Sequence, residues 1–351
     1  MYNVQRSLKG VRMKRIITLV ALIGIMFSVT GCAKATEVYS GTIFTMDTYV
    51  TMKIYSKDKP EEIYNKCVEK INELAERYDV FSEDSYLNKL NTTGSTEKAG
   101  GIDSVIINVL KLAKTTDYNF NPAIFPASQI WEQERVSEEP KVPEKAVIAA
   151  ALKKTSMNNV QYNESTSEII LKDGAKIDLG GAVKGYATDE INKILEQSNA
   201  ESAVIDLGGN VLVYGKPVQS NNWTIAIRAP RDNSLGYFAT LSLAQTCSVV
   251  TSGDYERYFE VDGVRYHHII DPTTGYPSDT GLISVTIISK NSLKADVYST
   301  AVFVMGLEKG MAFVKNDNEV EAVFVTTDKK VYTTDGIKDK IFIEDKDYTL
   351  Q

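Results

Sequence analysis

A five-residue phrase occurs twice in this chain, as Ile177-Asp178-Leu179-Gly180-Gly181 and as Ile205-Asp206-Leu207-Gly208-Gly209. Each copy reads as a short apolar strand running into paired glycines, where the backbone can reverse and approach another group closely because no Cβ stands in the way. An amphipathic helical pattern over residues 183–195 separates them. Two strand-to-glycine turns one helix apart place both glycine pairs at one rim of a sheet, which restricts the arrangements open to the chain. The first pair also precedes a helix N-terminus, whose partial positive charge suits an anion. The stretch from Asp178 to Asp189 fits either a phosphate cradle or a plain strand-to-helix turn, and it matches neither G-x-G-x-x-G nor G-x-x-x-x-G-K-[ST].

Around this stretch, strand and helix patterns come in mixed order. Residues 42–55 alternate and read as one long strand, and helices are expected over 59–78, 103–115 and 143–154. Residues 132–144 are charged and contain proline, as an exposed loop does. A hairpin is expected at 160–162 and 168–171, with further strands at 223–229, 238–243, 247–252, 284–289, 320–326, 331–333 and 341–343. Two more helical patterns, 295–305 and 307–315, lie between the later strands. This order predicts an α+β fold of mainly antiparallel sheets with packed helices, built as a single large domain with two intimate lobes. With 351 residues, the chain exceeds what one small core requires, and a net charge of −7 with no basic run beyond the N-terminus excludes a nucleic-acid partner.

The N-terminus is a separate object. Arg6, Lys9, Arg12, Lys14 and Arg15 precede an apolar run over 16–29, the arrangement of a secretory signal. The run is shorter than the roughly 20 residues that span a bilayer. It ends in Val29-Thr30-Gly31-Cys32, which resembles a bacterial lipobox, so Cys32 is expected to carry lipid and become the mature N-terminus. The expected organisation is a lipoprotein signal at 1–31, a tether at 32–40 and the functional domain at 41–351, with Met1 or Met13 as the start. Cys67 and Cys247 lie far apart, lack a zinc-type spacing, and read as plain core residues.

Three places carry residues suited to chemistry. Thr251-Ser252-Gly253-Asp254-Tyr255 reads as a turn rich in hydroxyls. His267 and His268 are the two histidines of the chain, and alternation in a strand lets one of them face a given site. Asp296 and Thr300 stand at i and i+4 on a helical pattern, so their oxygens share a face; a hard cation such as Mg²⁺ accepts such ligands, and a plain helix cap uses the same carboxylate.

Taken together, D-L-G-G-A-V-K-G-Y-A at 178–187, D-L-G-G-N at 206–210, T-S-G-D-Y at 251–255, H-I-I-D-P-T-T-G-Y-P at 268–277 and A-D-x-x-S-T-A at 295–301 resemble, in that order, the ApbE family. The resemblance extends to M-D-T at 46–48, F-x-x-x-S at 81–85, L-N at 90–91 and F-N-P at 120–122. It implies an FAD:protein FMN transferase, with FAD as substrate, Mg²⁺ as metal and AMP as product. The implied acceptor is a threonine on an exported or membrane-bound redox protein, met at the extracytoplasmic face of the cell membrane by a lipid-anchored enzyme. Residue by residue, it implies that His268 is catalytic and His267 turned away. Met46, Phe81, Asn91, Asn119, Phe120, Asn121, Asp178, Lys184 and Ile270 would contact FAD, and Gly181, Asp296 and Thr300 would hold the metal. The chain departs from common family forms at Asp47, Phe81 and Asn121. Two alternatives use the same residues: a Mg²⁺-dependent FAD pyrophosphatase giving FMN and AMP, and a non-catalytic FAD-binding lipoprotein.

Overall fold

The computed structural model describes residues 35–231 and 234–351; the signal at 1–31, Cys32 and the two candidate starts lie outside the described residues. The chain opens with strands β1 (Glu37–Thr45) and β2 (Thr48–Ser56). Helices α1 (Pro60–Tyr78), α2 (Tyr86–Thr93), α3 (Thr96–Ala99), α4 (Ser104–Thr115), α5 (Phe125–Arg135) and α6 (Lys145–Leu152) follow. A hairpin of β3 (Val160–Asn163) and β4 (Glu168–Leu171) leads to α7 (Val183–Gln197). Next come β5 (Ala200–Leu207), β6 (Asn210–Gly215), β7 (Trp223–Arg228), β8 (Tyr237–Leu243) and β9 (Cys247–Gly253). A second small hairpin, β10 (Tyr258–Val261) and β11 (Val264–His267), precedes β12 (Leu282–Ser289) and α8 (Ser292–Lys315). The chain closes with β13 (Val320–Thr326), β14 (Lys330–Thr333), β15 (Ile341–Ile343) and β16 (Thr349–Leu350).

A nine-stranded sheet, ordered β1-β2-β5-β6-β9-β12-β13-β14-β16, divides the molecule; its pairs are antiparallel except for β14 with β16. Strand alternation gives each face its own core. Val285, Ile287, Ala322 and Phe324 point to the helical side, where α1, α7 and α8 pack with Ile71, Ile191 and Ala301. Ile283, Ile288, Val323 and Val325 point to the other side, against the three-stranded sheet β15-β8-β7 with Ile227, Phe238 and Leu241. Every position of β12 is buried because it lies between the two layers. The α+β class with mainly antiparallel sheets is the fold observed.

Several expectations change. Residues 42–55 form a hairpin instead of one strand, because Met46 and Asp47 both take positive φ, 50° and 57°, and turn the chain in two residues. Strand β1 begins at Glu37, inside the stretch expected as tether, since 37–40 pair with 53–56. Helix α5 occupies the start of the expected loop and runs to Arg135, which pairs with Glu132 at 2.5 Å. Strand β9 follows the expected strand at 247–252 and runs one residue further, to Gly253, so the hydroxyl-rich segment read as a turn begins inside the strand. The first copy of the repeated phrase is no strand. Its Ile177 N–H and C=O are both taken by the Asn91 side chain, at 2.7 and 2.8 Å, and Asp178 N–H donates to the Pro122 carbonyl at 2.8 Å. The second copy ends β5 and turns directly into β6. Helix α8 breaks at Gly306 (φ 78°, ψ 177°), between the two helical patterns expected there. Both free cysteines are buried, which pushes their thiols up, to about 12 for Cys67 and about 11 for Cys247, as inert core residues.

Candidate active site

The site is built where α7 crosses the start of α8. Gly185 makes the crossing possible: a Cβ there would lie 2.4 Å from the Ser292 carbonyl oxygen and 2.7 Å from Asp296 Cβ. Because the backbones touch, the Gly185 N–H donates to Asp296 Oδ2 at 2.7 Å. Gly185 is the third residue of α7, so its N–H is one of the helix-start donors that no carbonyl of the helix accepts, and the Asp296 carboxylate satisfies it. Asp189, one turn along α7, accepts the Ser292 and Leu293 N–H groups at 2.7 and 2.9 Å and caps α8. Asn210 Oδ1, at the start of β6, receives the hydroxyls of Thr188 (3.3 Å) and Ser292 (3.0 Å), so both helices are tied to the sheet.

This scaffold brings three hard donors together. Asp296 is buried at 4% exposure, Thr300 follows one turn later, and a Cβ on Gly181 would sit 3.4 Å from Thr300 Oγ1. Ser252 Oγ, at the end of β9, is 3.3 Å from the same hydroxyl and 2.8 Å from Ser299 Oγ. The second glycine pair reaches the end of β9 directly, since Gly209 O accepts the Thr251 N–H at 3.2 Å, and the first is linked to it through Thr300. Among the described residues no group of three or more His, Cys, Asp or Glu side chains suits a metal. A cation here would rest on one carboxylate, a hydroxyl and a main-chain carbonyl, completed by water and phosphate, an all-oxygen set that fits Mg²⁺. Burial raises the Asp296 carboxyl; the Lys184 charge and the Gly185 N–H oppose that.

The remaining residues singled out in the sequence are held as follows. Asp178 is partly buried, accepts the Gly180 N–H at 2.8 Å, and is pushed up by burial against the pull of that N–H and of Arg257. Phe120 is buried, its ring edge 3.0 Å from where a Gly181 Cβ would be. Met46 sits in the β1–β2 turn, half-buried against the helical core. Phe81 is 65% exposed and meets Phe125 edge-on at 5.8 Å. The three asparagines make main-chain bonds: Asn91 to Ile177, Asn119 to the Thr116 carbonyl at 2.9 Å, and Asn121 to the Thr155 carbonyl at 2.9 Å and the Ala123 N–H at 2.8 Å. They shape the loops on which the site rests. Ile270 is buried with Trp131, Ile148 and Phe259.

The histidines separate as alternation requires. His267 is buried; its Nε2 lies 3.0 Å from the Ser278 carbonyl, its Nδ1 accepts the Ile269 N–H at 3.2 Å, and its ring meets Phe303 edge-on. Those partners fix a neutral imidazole with the proton on Nε2, and burial lowers its pKa further. His268 faces the other way, with an exposed ring and its N–H on the Arg257 carbonyl at 3.0 Å. Packing of protein around it, then the charges of His267, Arg257 and Lys184, move its pKa down. Because solvent still reaches the ring, the shift is smaller than a sealed imidazole would show, and its sign keeps His268 neutral at neutral pH.

The sequence pattern did not single out Gly185, Asp189, Asn210 or Arg257. A glycine inside a helical pattern and an asparagine directly after the second glycine pair are the signals that mark the first and third.

A sequence model of the ApbE family matches residues 46–324, a span that holds every one of these groups. The chain belongs to the ApbE family. It is 34% identical over 301 residues to an FAD:protein FMN transferase of Klebsiella pneumoniae, covering 84% of this chain and 91% of that protein. With an FAD:protein FMN transferase of Treponema pallidum it shares 32% identity over 359 residues, covering 96% of this chain and 98% of the relative. The crystal structure of the ApbE protein from Thermotoga maritima superposes with a TM-score of 0.77 at 31% identity, over 86% of this chain and 98% of that one. As an ApbE member the chain inherits the fold; its residues say how the site is held.

Proposed function

We propose that this protein is an FAD:protein FMN transferase that moves FMN from FAD onto a threonine hydroxyl of an acceptor protein, releases AMP and depends on Mg²⁺. The observation that carries this reading is the convergence of Gly181, Asp296 and Thr300, with the Lys184 charge felt at both Asp296 and His268. The acceptor hydroxyl attacks the FMN-side phosphorus of the pyrophosphate. A threonine Oγ–P bond forms, the bond from that phosphorus to the bridging oxygen breaks, and the oxygen leaves with AMP. His268, neutral at working pH, takes the threonine proton. Lys184 stabilises negative charge on the phosphoryl oxygens, and Asp178 with Phe120 and Met46 holds the flavin nucleotide. A divalent cation at Gly181, Asp296 and Thr300 supplies further positive charge against those oxygens when bound.

A second reading has one observation in its favour. The His268 ring is exposed, so water reaches it as readily as a hydroxyl does, and hydrolysis of FAD to FMN and AMP follows the same bond changes. Incubation with FAD and Mg²⁺, with and without a threonine-bearing acceptor, separates the readings. Covalent flavin on the acceptor together with AMP supports transfer, AMP in the absence of acceptor supports hydrolysis, and intact FAD supports a binding protein. The leader adds a location: lipid at Cys32 would hold the enzyme on the outer face of the cytoplasmic membrane, where an exported redox protein meets it. Mass spectrometry of the mature N-terminal peptide, with Cys32→Ala as control, tests that part.

A further inference from the structure

We infer that Asp47 and Arg257 form a clasp across the mouth of the site, in which the aspartate holds the arginine between the turn that carries Met46 and the strand end that carries His268. The clasp rests on the transferase reading for what the site does, and on geometry for its existence. Asp47 Oδ2 lies 2.9 Å from Arg257 Nη2, and the same nitrogen reaches the Asp47 carbonyl at 3.4 Å. Arg257 is anchored from the other side by its main chain. Tyr258 pairs with His267 in the β10–β11 hairpin, and one step outward the Arg257 carbonyl accepts the His268 N–H at 3.0 Å. One ion pair thus joins two walls of the site that lie 210 residues apart in sequence.

The guanidinium held there acts on the chemistry. Its charge opposes protonation at both His268 and Asp178, so it lies within electrostatic reach of the two groups that would face the proton and the nucleotide. Lys184 supplies positive charge from the helix side and Arg257 from the rim, and an anionic substrate entering between them meets both. Neither clasp partner is buried, with 42% and 69% of the side chains exposed. A pair so exposed changes an equilibrium by about five-fold at most, which sets the size of the effect its loss should have. Asp47 tolerates this duty in a left-handed turn, and glycine at the same position would keep the turn while removing the carboxylate.

The test uses the full chain and the variants Asp47→Gly, Arg257→Gln, Arg257→Lys and the double variant Asp47→Gly with Arg257→Gln. FAD affinity is read by flavin fluorescence, and kcat and KM by AMP release with acceptor present. Asp47→Gly is expected to weaken FAD binding and raise its KM by about three- to five-fold, with kcat changed by less than about two-fold. Arg257→Gln should lose at least as much, Arg257→Lys should recover part of it, and the double variant should be no worse than Arg257→Gln alone. Unchanged FAD affinity in Asp47→Gly, or losses that simply add in the double variant, would overturn the clasp. So would a large drop in melting temperature for Asp47→Gly, which would make the pair a structural tie. A wild-type protein that binds FAD but neither transfers FMN nor releases AMP would sink the transferase reading instead, and the FAD affinities of the variants would still decide the clasp.

Discussion

Replacing Gly185 by alanine tests the claim that a main-chain contact holds the Asp296 carboxylate. The added Cβ would fall 2.4 Å from the Ser292 carbonyl oxygen, 2.7 Å from Asp296 Cβ and 2.9 Å from Leu293 Cα, all on α8. None of these is the end of a flexible side chain, so α7 and α8 must part. Overpacking of this kind costs about 1–3 kcal/mol. Separation also stretches the 2.7 Å bond from Gly185 N–H to the buried carboxylate, and hydrogen bonds to charged groups contribute about 1.5–3 kcal/mol. The expected loss is therefore roughly 2.5–6 kcal/mol. Gly263→Ala is the reference: φ there is 76° but nothing lies within 4 Å of the new Cβ, so conformational strain alone operates, about 1–2 kcal/mol. Urea unfolding measured with and without Mg²⁺ gives two readings. Gly185→Ala should unfold at a clearly lower midpoint than Gly263→Ala and should gain less from Mg²⁺, because its carboxylate has moved. A Gly185→Ala protein as stable as the reference and equally responsive to Mg²⁺ would refute the reasoning.

Three further outcomes follow from the same geometry. Burial raises Asp189 to about 6 from an ordinary 3.8, so the folded protein holds that proton more tightly than the unfolded chain does. Its contribution to stability is full below about pH 4 and is lost as pH rises through about 6, by at most about 3 kcal/mol before allowing for residual solvent access; Asp189→Asn should flatten urea midpoints across that window. Asn91→Leu leaves the Ile177 N–H and C=O without their partner and should cost about 2–4 kcal/mol in chemical denaturation, with FAD affinity falling because Asp178 is the next residue. His268→Ala should lower kcat for FMN transfer by about 10²–10⁴ while FAD binding, read by fluorescence, stays close to wild type.

The parts of the fold legible in the sequence were those in which local pattern and tertiary environment agree. Helix α1 buries Ile63, Cys67, Ile71 and Leu74, the stripe its spacing announces. The break in α8 was legible because a glycine marks it, and Gly306 takes a φ of 78°. The β1–β2 turn was hidden because Met46 and Asp47 adopt positive φ without the glycine or asparagine that normally signals such a turn. Residues 177–179 look like a strand, yet the partner that satisfies Ile177 is a side chain 86 residues earlier, which no periodicity records. In the site, the opposed histidines followed from alternation alone, and Asp296 with Thr300 from helical spacing. The roles of Gly185 and Asp189 depend on which helix crosses which, and that of Arg257 on a turn 210 residues away.

The residues of the site divide by burial in a way that bears on transfer against hydrolysis. Gly185, Asn210 and Asp296 are buried, and Asp189, partly buried, caps α8, so the floor of the proposed site is formed by packed helices tied to the sheet before any substrate arrives. His268, Asp47 and Phe81 are exposed, and each stands on a turn or a strand end. In the proposed transferase, a floor preformed in this way would need no acceptor to bind FAD, whereas His268 as the base would have nothing of its own to exclude water. On the transferase reading, the acceptor must therefore supply the missing wall. Its docked segment both delivers the hydroxyl and displaces the water that would otherwise take the phosphoryl group. The ratio of AMP released to flavin attached should then fall toward one as acceptor concentration rises through saturation. A ratio that stays well above one at saturating acceptor would mean that the rim stays wet and that hydrolysis, not transfer, is what this arrangement does.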